Sequence, residues 1–132
     1  MMESATEIIV AREDIDELGH VNNKMYVGYL EKARMDWYAR VGLTIDAMRE
    51  RNIGTVVLKL TITFLKEAVL NERLIVKTRP VRLGKTSYDF KQEIFNETGE
   101  KVTDALVTSV MFDLKRRKSM PVVSEIARQF EQ

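Results

Sequence analysis

The sequence predicts an α+β fold: a curved antiparallel five-stranded sheet wrapped around one long central helix. Three observations predict it. Apolar residues recur at spacings of three and four over residues 23–42, the period of a helix with one buried face. From about residue 53 the period drops to two and holds through four successive segments, as in strands with one buried face. The chain has 132 residues, 45% of them hydrophobic, enough for one domain with a modest core. A sheet with one apolar face and a single long helix to cover it is most economically buried by curving round that helix.

Residues 6–12, TEIIVAR, are rich in β-branched side chains and are expected as the first strand. The stretch DIDELGHVNN, residues 14–23, follows as a loop and carries the only histidine, His20. In the helix expected over 23–42, Tyr26, Leu30, Ala33, Trp37 and Val41 form one apolar stripe, with Glu31, Lys32, Asp36 and Arg40 mostly off it. Gly42 is a natural stop. Residues 43–54 read as a loop with a helical turn that Thr44 caps. In residues 57–66, Leu58, Leu60, Ile62 and Phe64 alternate with Lys59, Thr61 and Thr63, a half-buried strand. The strand expected over 72–83 contains Pro80, which requires an edge, a bulge or a bend. Residues 86–96 place Tyr88, Phe90, Gln92 and Ile94 on one side. A turn over 96–100 uses Gly99 for positive φ. The longest strand, 101–114, puts Val102, Leu106, Val110 and Phe112 on a shared face, and residues 121–130 read as a closing helix with Pro121 near its start. Strands this close in sequence are expected to form a mostly antiparallel meander, in a single domain over 1–132 without linker or repeat.

Composition excludes several classes of function. The net charge is +1, so no global field draws nucleic acid or an anionic membrane. The N-terminus has no basic segment followed by a long apolar run, and nothing approaches about 18 uninterrupted apolar residues. A cytoplasmic protein is expected, and the absence of cysteine fits a reducing compartment. That absence also removes disulfides, thiolate metal sites and a cysteine nucleophile. One histidine, with Asn23 and Lys24 at the i+3 and i+4 positions from it, makes no metal site, and no cofactor is expected. There is no G-x-S-x-G elbow and no Gly-rich phosphate loop.

What remains is a carboxylate a few residues before a helix start. Asp14 and Asp16 are equal candidates by composition. Unpaired N–H groups around Asn22 to Lys24 point outward with partial positive charge and can hold an oxyanion. A nearby aspartate can attack an ester carbonyl or deprotonate water. Such equipment suffices for an activated ester such as a thioester and is weak for an amide.

The pattern D-x-x-G-H-V-N-N-x-x-Y, Asp16 to Tyr26, followed by an amphipathic helix, resembles the hotdog-fold acyl-CoA thioesterases of the 4-hydroxybenzoyl-CoA thioesterase type. The weaker LGKTSY, Leu83 to Tyr88, sits where such proteins often carry a basic-plus-hydroxyl segment. The resemblance covers nearly the whole chain. It implies cleavage of acyl-CoA to free acid and coenzyme A, with coenzyme A present only as part of the substrate. It also implies a homodimer or homotetramer with active sites between subunits. Carried over by position, Asp16 matches the catalytic aspartate, Gly19 the glycine of the preceding turn, and Asn23 the helix-start residue whose N–H polarises the carbonyl. The spacing to Gly19 favours Asp16 over Asp14, which is expected to be a solvated neighbour. Some relatives carry histidine at the position of Asn23, so their histidine-assisted scheme does not transfer. Plant acyl-carrier-protein thioesterases share D-x-N-x-H-V-N-N, but their first asparagine falls on Leu18. His20 is expected to orient the loop or the substrate.

The acyl chain would meet apolar residues such as Tyr26 and Leu60. The coenzyme A phosphates need cations, for which Arg82, Lys85 and the run Arg116-Arg117-Lys118 are candidates. Thr86 and Ser87 are candidates to bond the pantetheine arm. The competing readings are an acyl-carrier-protein substrate and a non-catalytic acyl-thioester binding module. An intact Asp16 disfavours the latter.

Overall fold

The computed structural model describes residues 2–130; Met1, Glu131 and Gln132, which complete the expected domain, lie outside the described residues. Strand β1 (Ser4–Ile9) leads through a short 3-10 turn at Arg12–Asp14 and a loop into helix α1 (Asn23–Arg40). Helix α2 (Ile45–Glu50) precedes the strands β2 (Ile53–Phe64), β3 (Arg73–Leu83), β4 (Ser87–Phe95) and β5 (Lys101–Asp113). Strand β6 (Lys118–Ser119) and helix α3 (Ser124–Ala127) close the chain.

The strands form one curled antiparallel sheet in the order β1-β3-β4-β5-β2, with β6 pairing the end of β5. Five strands make the main path, as the sequence predicts, and β6 is an unforeseen sixth. The expected meander holds only for β3-β4-β5, because β2 pairs with β5 and β1 takes the place beside β3. The reason lies in the connection: β1 and β2 stand on either side of the long loop-and-helix segment, so no tight turn dictates their neighbours.

Helix α1 starts where Asn22 caps it, its side chain accepting from Lys24 N–H at 3.1 Å. Its buried face is wider than the apolar stripe. Tyr29, Arg34 and Tyr38 are buried with Tyr26, Leu30, Ala33 and Trp37, while Val41 serves as the C-cap. The extra members carry polar tips that find partners under the helix, which an apolar count does not reveal. The helix is off-centre, packing mainly against β1 and β3, so the β2 side of the concave face is less covered. Thr44 caps α2 as expected, its hydroxyl accepting from Ala47 N–H at 3.1 Å.

Two clusters fill the space under α1. One joins Tyr26, Tyr29, Leu30 and Ala33 to Val76, Ile94, Val102 and Ala105. The other joins Trp37 and Tyr38 to Tyr88, Phe90 and Met111. Each large side chain removed from water here contributes about 1.5–3 kcal/mol. The β4 face is as read from the sequence: Tyr88, Phe90, Gln92 and Ile94 are all buried. On β5 the expected face is wrong in the middle. Ala105, Val107, Ser109 and Met111 point inward and Leu106 is exposed, because both alternating sets are apolar and alternation alone does not choose between them. A register shift opposite Val102 turns that residue into the core as well. On β2, Leu58 is 63% exposed, not half-buried: Val57 pairs Ser109 and Lys59 pairs Thr108, so Leu58 is the extra residue of a bulge. Pro80 does sit beside a bulge, with the β3–β4 register shifting between Pro80 and Arg82. The closing helix is shorter than expected. Residues 120–123 are irregular because Met120 N–H and Val122 N–H are drawn to the carbonyls of Met111 and Lys85.

Candidate active site

The loop between β1 and α1 is closed by its own backbone. Ile15 and Val21 face each other in a β-bridge. Asp16 N–H donates to the His20 carbonyl at 3.0 Å, and Gly19 N–H returns to the Asp16 carbonyl at 3.0 Å. Gly19 takes φ +84°, a left-handed conformation in which a side chain would be strained. The tight turn therefore needs the glycine that the sequence motif supplies.

Within this turn Asp16 Oδ1 accepts from Leu18 N–H at 2.9 Å. Among the described residues nothing donates to its second oxygen. The His20 ring lies beside it, with Nε2 3.9 Å from Asp16 Oδ1 and Nδ1 3.8 Å from Glu67 Oε2. His20, Asn23 and Tyr26 then line an open cavity of about 250 Å³ together with Phe64, Leu65, Lys66 and Glu67 from the end of β2. Asp16 itself is not on that wall. It reaches the cavity by way of His20, a less direct arrangement than an aspartate aimed at the helix end.

The helix start has one free donor where the sequence suggested several. Asn22 N–H is taken by the Asp14 carbonyl at 2.9 Å, and Lys24 N–H by the Asn22 side chain. Among the described residues no group accepts from Asn23 N–H. Tyr26 borders the cavity with its ring edge against Tyr29 and tilted against Phe64, at centroid distances of 5.8 and 5.5 Å. Burial pushes the Tyr26 hydroxyl pKa up, opposed by a hydrogen bond to the Ala68 backbone, so the group stays protonated.

Asp14 is not the solvated neighbour expected from the sequence. It is 7% exposed, and its Oδ2 accepts from Tyr29 Oη at 2.7 Å and from Ala11 N–H at 3.1 Å. Two hydrogen bonds under the helix replace water, which composition could not foretell.

The structure thus brings Asp16, Gly19, His20, Asn23 and Tyr26 together. It places Arg82, Lys85, Thr86 and Ser87 at the other end of the sheet. Tyr88 there bonds Tyr38, and Asn23 and Tyr38 are fifteen positions apart on α1, about 22 Å at the helical rise. Arg82 is already engaged: Nε and Nη2 grip Asp89 at 2.7 and 3.1 Å, and Nη2 also reaches Ser87 Oγ at 3.2 Å. Lys85 is exposed, Met111 N–H bonds the Thr86 carbonyl, Arg116 and Arg117 lie in an exposed turn between β5 and β6, and Lys118 opens β6. Glu67 and Lys66 are cavity residues that sequence reasoning missed; they lie far along the chain from the motif and carry no signal of their own. No three His, Cys, Asp or Glu residues converge as a metal site, and no helix is long and apolar enough to cross a membrane, among the described residues.

Comparison with known proteins gives a consistent picture. The sequence pattern of the thioesterase-like superfamily matches residues 10–130. The long-chain acyl-CoA thioesterase FadM of Escherichia coli K12 is 34% identical over 128 residues, covering 96% of both chains. The acyl-CoA thioester hydrolase YbgC of Escherichia coli is 28% identical over 120 residues, covering 91% of this chain and 90% of that one. Among solved structures, PA2801 of Pseudomonas aeruginosa, described as a putative thioesterase, superposes with a TM-score of 0.86 at 28% identity, over 94% of this chain and 95% of that one.

Proposed function

The chain belongs to the thioesterase-like superfamily, and from that membership we propose that it hydrolyses acyl-CoA thioesters to the free acid and coenzyme A, with Asp16 as the reacting carboxylate. The observation that carries the chemistry is the free N–H at the start of α1 in Asn23, a residue that lines the cavity His20 connects to Asp16. A thioester carbonyl seated on that N–H develops negative charge where the helix end is positive. The unpartnered oxygen of Asp16 attacks the carbonyl carbon or takes a proton from the attacking water. His20 lies between the carboxylate and the cavity and holds the reacting groups in line. Phe64 and Tyr26 give the acyl chain an apolar wall.

The site is completed by a second copy of the chain. β2 is a 12-residue edge strand exposing Val56, Val57, Leu58 and Phe64, a surface that promotes pairing. Two such edges paired antiparallel about a two-fold axis set the Ile53 end of one beside the Phe64 end of the other. Lys85, Thr86 and the Arg116-Arg117-Lys118 run lie at the Ile53 end, where Leu114 N–H bonds the Asn52 carbonyl at 2.9 Å. Pairing therefore carries the cations and hydroxyls of one subunit toward the catalytic loop of the other. In this reading they receive the coenzyme A phosphates and pantetheine there, in a cytoplasmic homo-oligomer.

The test is thiol release from short, medium, long and aromatic acyl-CoAs by the wild type and by Asp16→Asn. The variant keeps the shape of the side chain and removes its charge, so kcat should fall by at least about a hundredfold. A variant with near-normal kcat would sink the assignment.

A further inference from the structure

We propose that Asp14 and Tyr29 form a positioning pair that sets the Asp16–His20 turn against the N-terminus of α1; this rests on the assignment of Asp16 above. Both residues are 7% exposed. Through its side chain Asp14 holds Tyr29, in the second turn of α1, at 2.7 Å, and Ala11, on the approach to the loop, at 3.1 Å. Through its carbonyl it holds the N–H of Asn22, the cap of α1, at 2.9 Å. One residue therefore ties the entry of the catalytic loop, its exit and the body of the helix. The helix in turn supplies the free Asn23 N–H.

A carboxylate is a costly choice for packing alone, because burying it without donors is strongly unfavourable. Here it has two donors, and both fix position. Burial and the hydrogen bond to Asp14 push the Tyr29 hydroxyl well above its ordinary pKa, so it remains a donor throughout the working range. The same tyrosine packs edge-on against Tyr26, a cavity residue, so the pair reaches the site from the helix side as well as from the loop. Without the Tyr29–Asp14 bond the loop is still closed by its own backbone and joined to the cap at Asn22, but it loses its tie to the body of α1 and can pivot about that cap. The distance from the Asp16 carboxylate to a carbonyl on Asn23 N–H then varies, and misplacement of this kind is expressed in the rate of the chemical step.

Tyr29→Phe removes the donor and keeps the ring. We expect its kcat to fall about tenfold, as a small misplacement of the reacting groups produces, with KM within about twofold. The near-UV circular dichroism should remain native. The pH profile of kcat/KM should keep its shape, because the reacting carboxylate is unchanged. Asp14→Asn keeps one acceptor oxygen and should retain more activity than Asp14→Ala. Should Tyr29→Phe fail to fold, the two Asp14 variants decide by the same criteria. Wild-type kcat in Tyr29→Phe overturns the proposal. So does a loss in Asp14→Asn as large as that in Asp16→Asn, which would make Asp14 the reacting carboxylate. Failure of the Tyr29 and Asp14 variants alike to fold also overturns it, since the pair would then be structural only. Retained activity in Asp16→Asn instead defeats the catalytic assignment, whatever Tyr29→Phe does.

Discussion

At Asp89 one carboxylate shows how local charge becomes a pH dependence. The Arg82 guanidinium grips both its oxygens and Thr108 Oγ1 donates to it at 2.7 Å, so its pKa lies below the ordinary 3.8 despite partial burial. A carboxylate with a depressed pKa in the folded state adds stability that is complete above its unfolded pKa and is lost as pH falls through its folded pKa. Asp89→Asn should therefore cost about 1–2 kcal/mol at neutral pH, a range kept modest because Arg82 is half exposed. The difference from wild type should narrow as the pH drops below about 4. Urea unfolding of both proteins between neutral and acidic pH measures it; a gap that stays constant into acid would show that the ion pair is not its source. The same grip explains why Arg82, a phosphate candidate by sequence, is a poorer one than Lys85. Sequence shows a cation but not whether it is already paired.

At the scale of elements, α1 is fastened to the sheet by a polar joint in an apolar interface. Arg34 is 5% exposed, and its Nη1 donates to Gln92 Oε1 at 3.0 Å. Gln92 on β4 spends its amide hydrogens on the Leu30 carbonyl of α1 and on Thr78 Oγ1 of β3, each at 3.0 Å, which leaves its carbonyl to face the guanidinium. Burial lowers the Arg34 pKa, but it remains charged and in need of an acceptor. Gln92→Leu should destabilise by about 2–4 kcal/mol, since it strands a buried cation and two neutral groups together. The double variant with Arg34→Met should recover part of that loss, as a double-mutant cycle on urea unfolding would reveal. A single-variant cost under about 0.5 kcal/mol would refute the joint. Alternation placed Gln92 inward with Tyr88, Phe90 and Ile94, but nothing in the sequence paired it with Arg34, which sits on a different element.

For the whole molecule, the uneven cover of the sheet sets the expected assembly. With α1 drawn toward β1 and β3, the β2 edge is long, apolar and open. Wild type should sediment at a multiple of the 15.3 kDa chain mass at micromolar protein, and Leu58→Asp should shift it toward the single-chain value. Because Leu58 is already exposed, the substitution should leave the fold of each chain intact while lowering activity along with association. A wild type that sediments only as single chains would contradict both the pairing and the shared site. Lys85→Ala tests the same geometry from the substrate side. Exposed charge contacts are worth about 0.2–1 kcal/mol each, so KM for acyl-CoA should rise a few-fold with little change in kcat. The rise should shrink as salt is added. If KM is unchanged and flat with salt, the Arg116-Arg117-Lys118 run is next, and after it a carrier-protein substrate.

By itself the sequence determined the parts that depend on neighbours along the chain. Period-3.6 and period-2 patterns located α1 and the four later strands. Thr44 marked the cap of α2 and Gly19 the turn before α1, because caps and turns are made within a few residues. The motif from Asp16 to Tyr26 carried the candidate site for the same reason. Only the tertiary structure decided which alternating face of β5 is buried, because both are apolar. It moved β2 to the far edge and thereby brought Phe64 to Glu67 onto the wall opposite His20. It also buried Asp14 beneath Tyr29, which made a tether of a carboxylate that looked solvated. Each of these outcomes turns on contacts between residues distant in sequence, whose energies depend on which surfaces meet and not on local pattern.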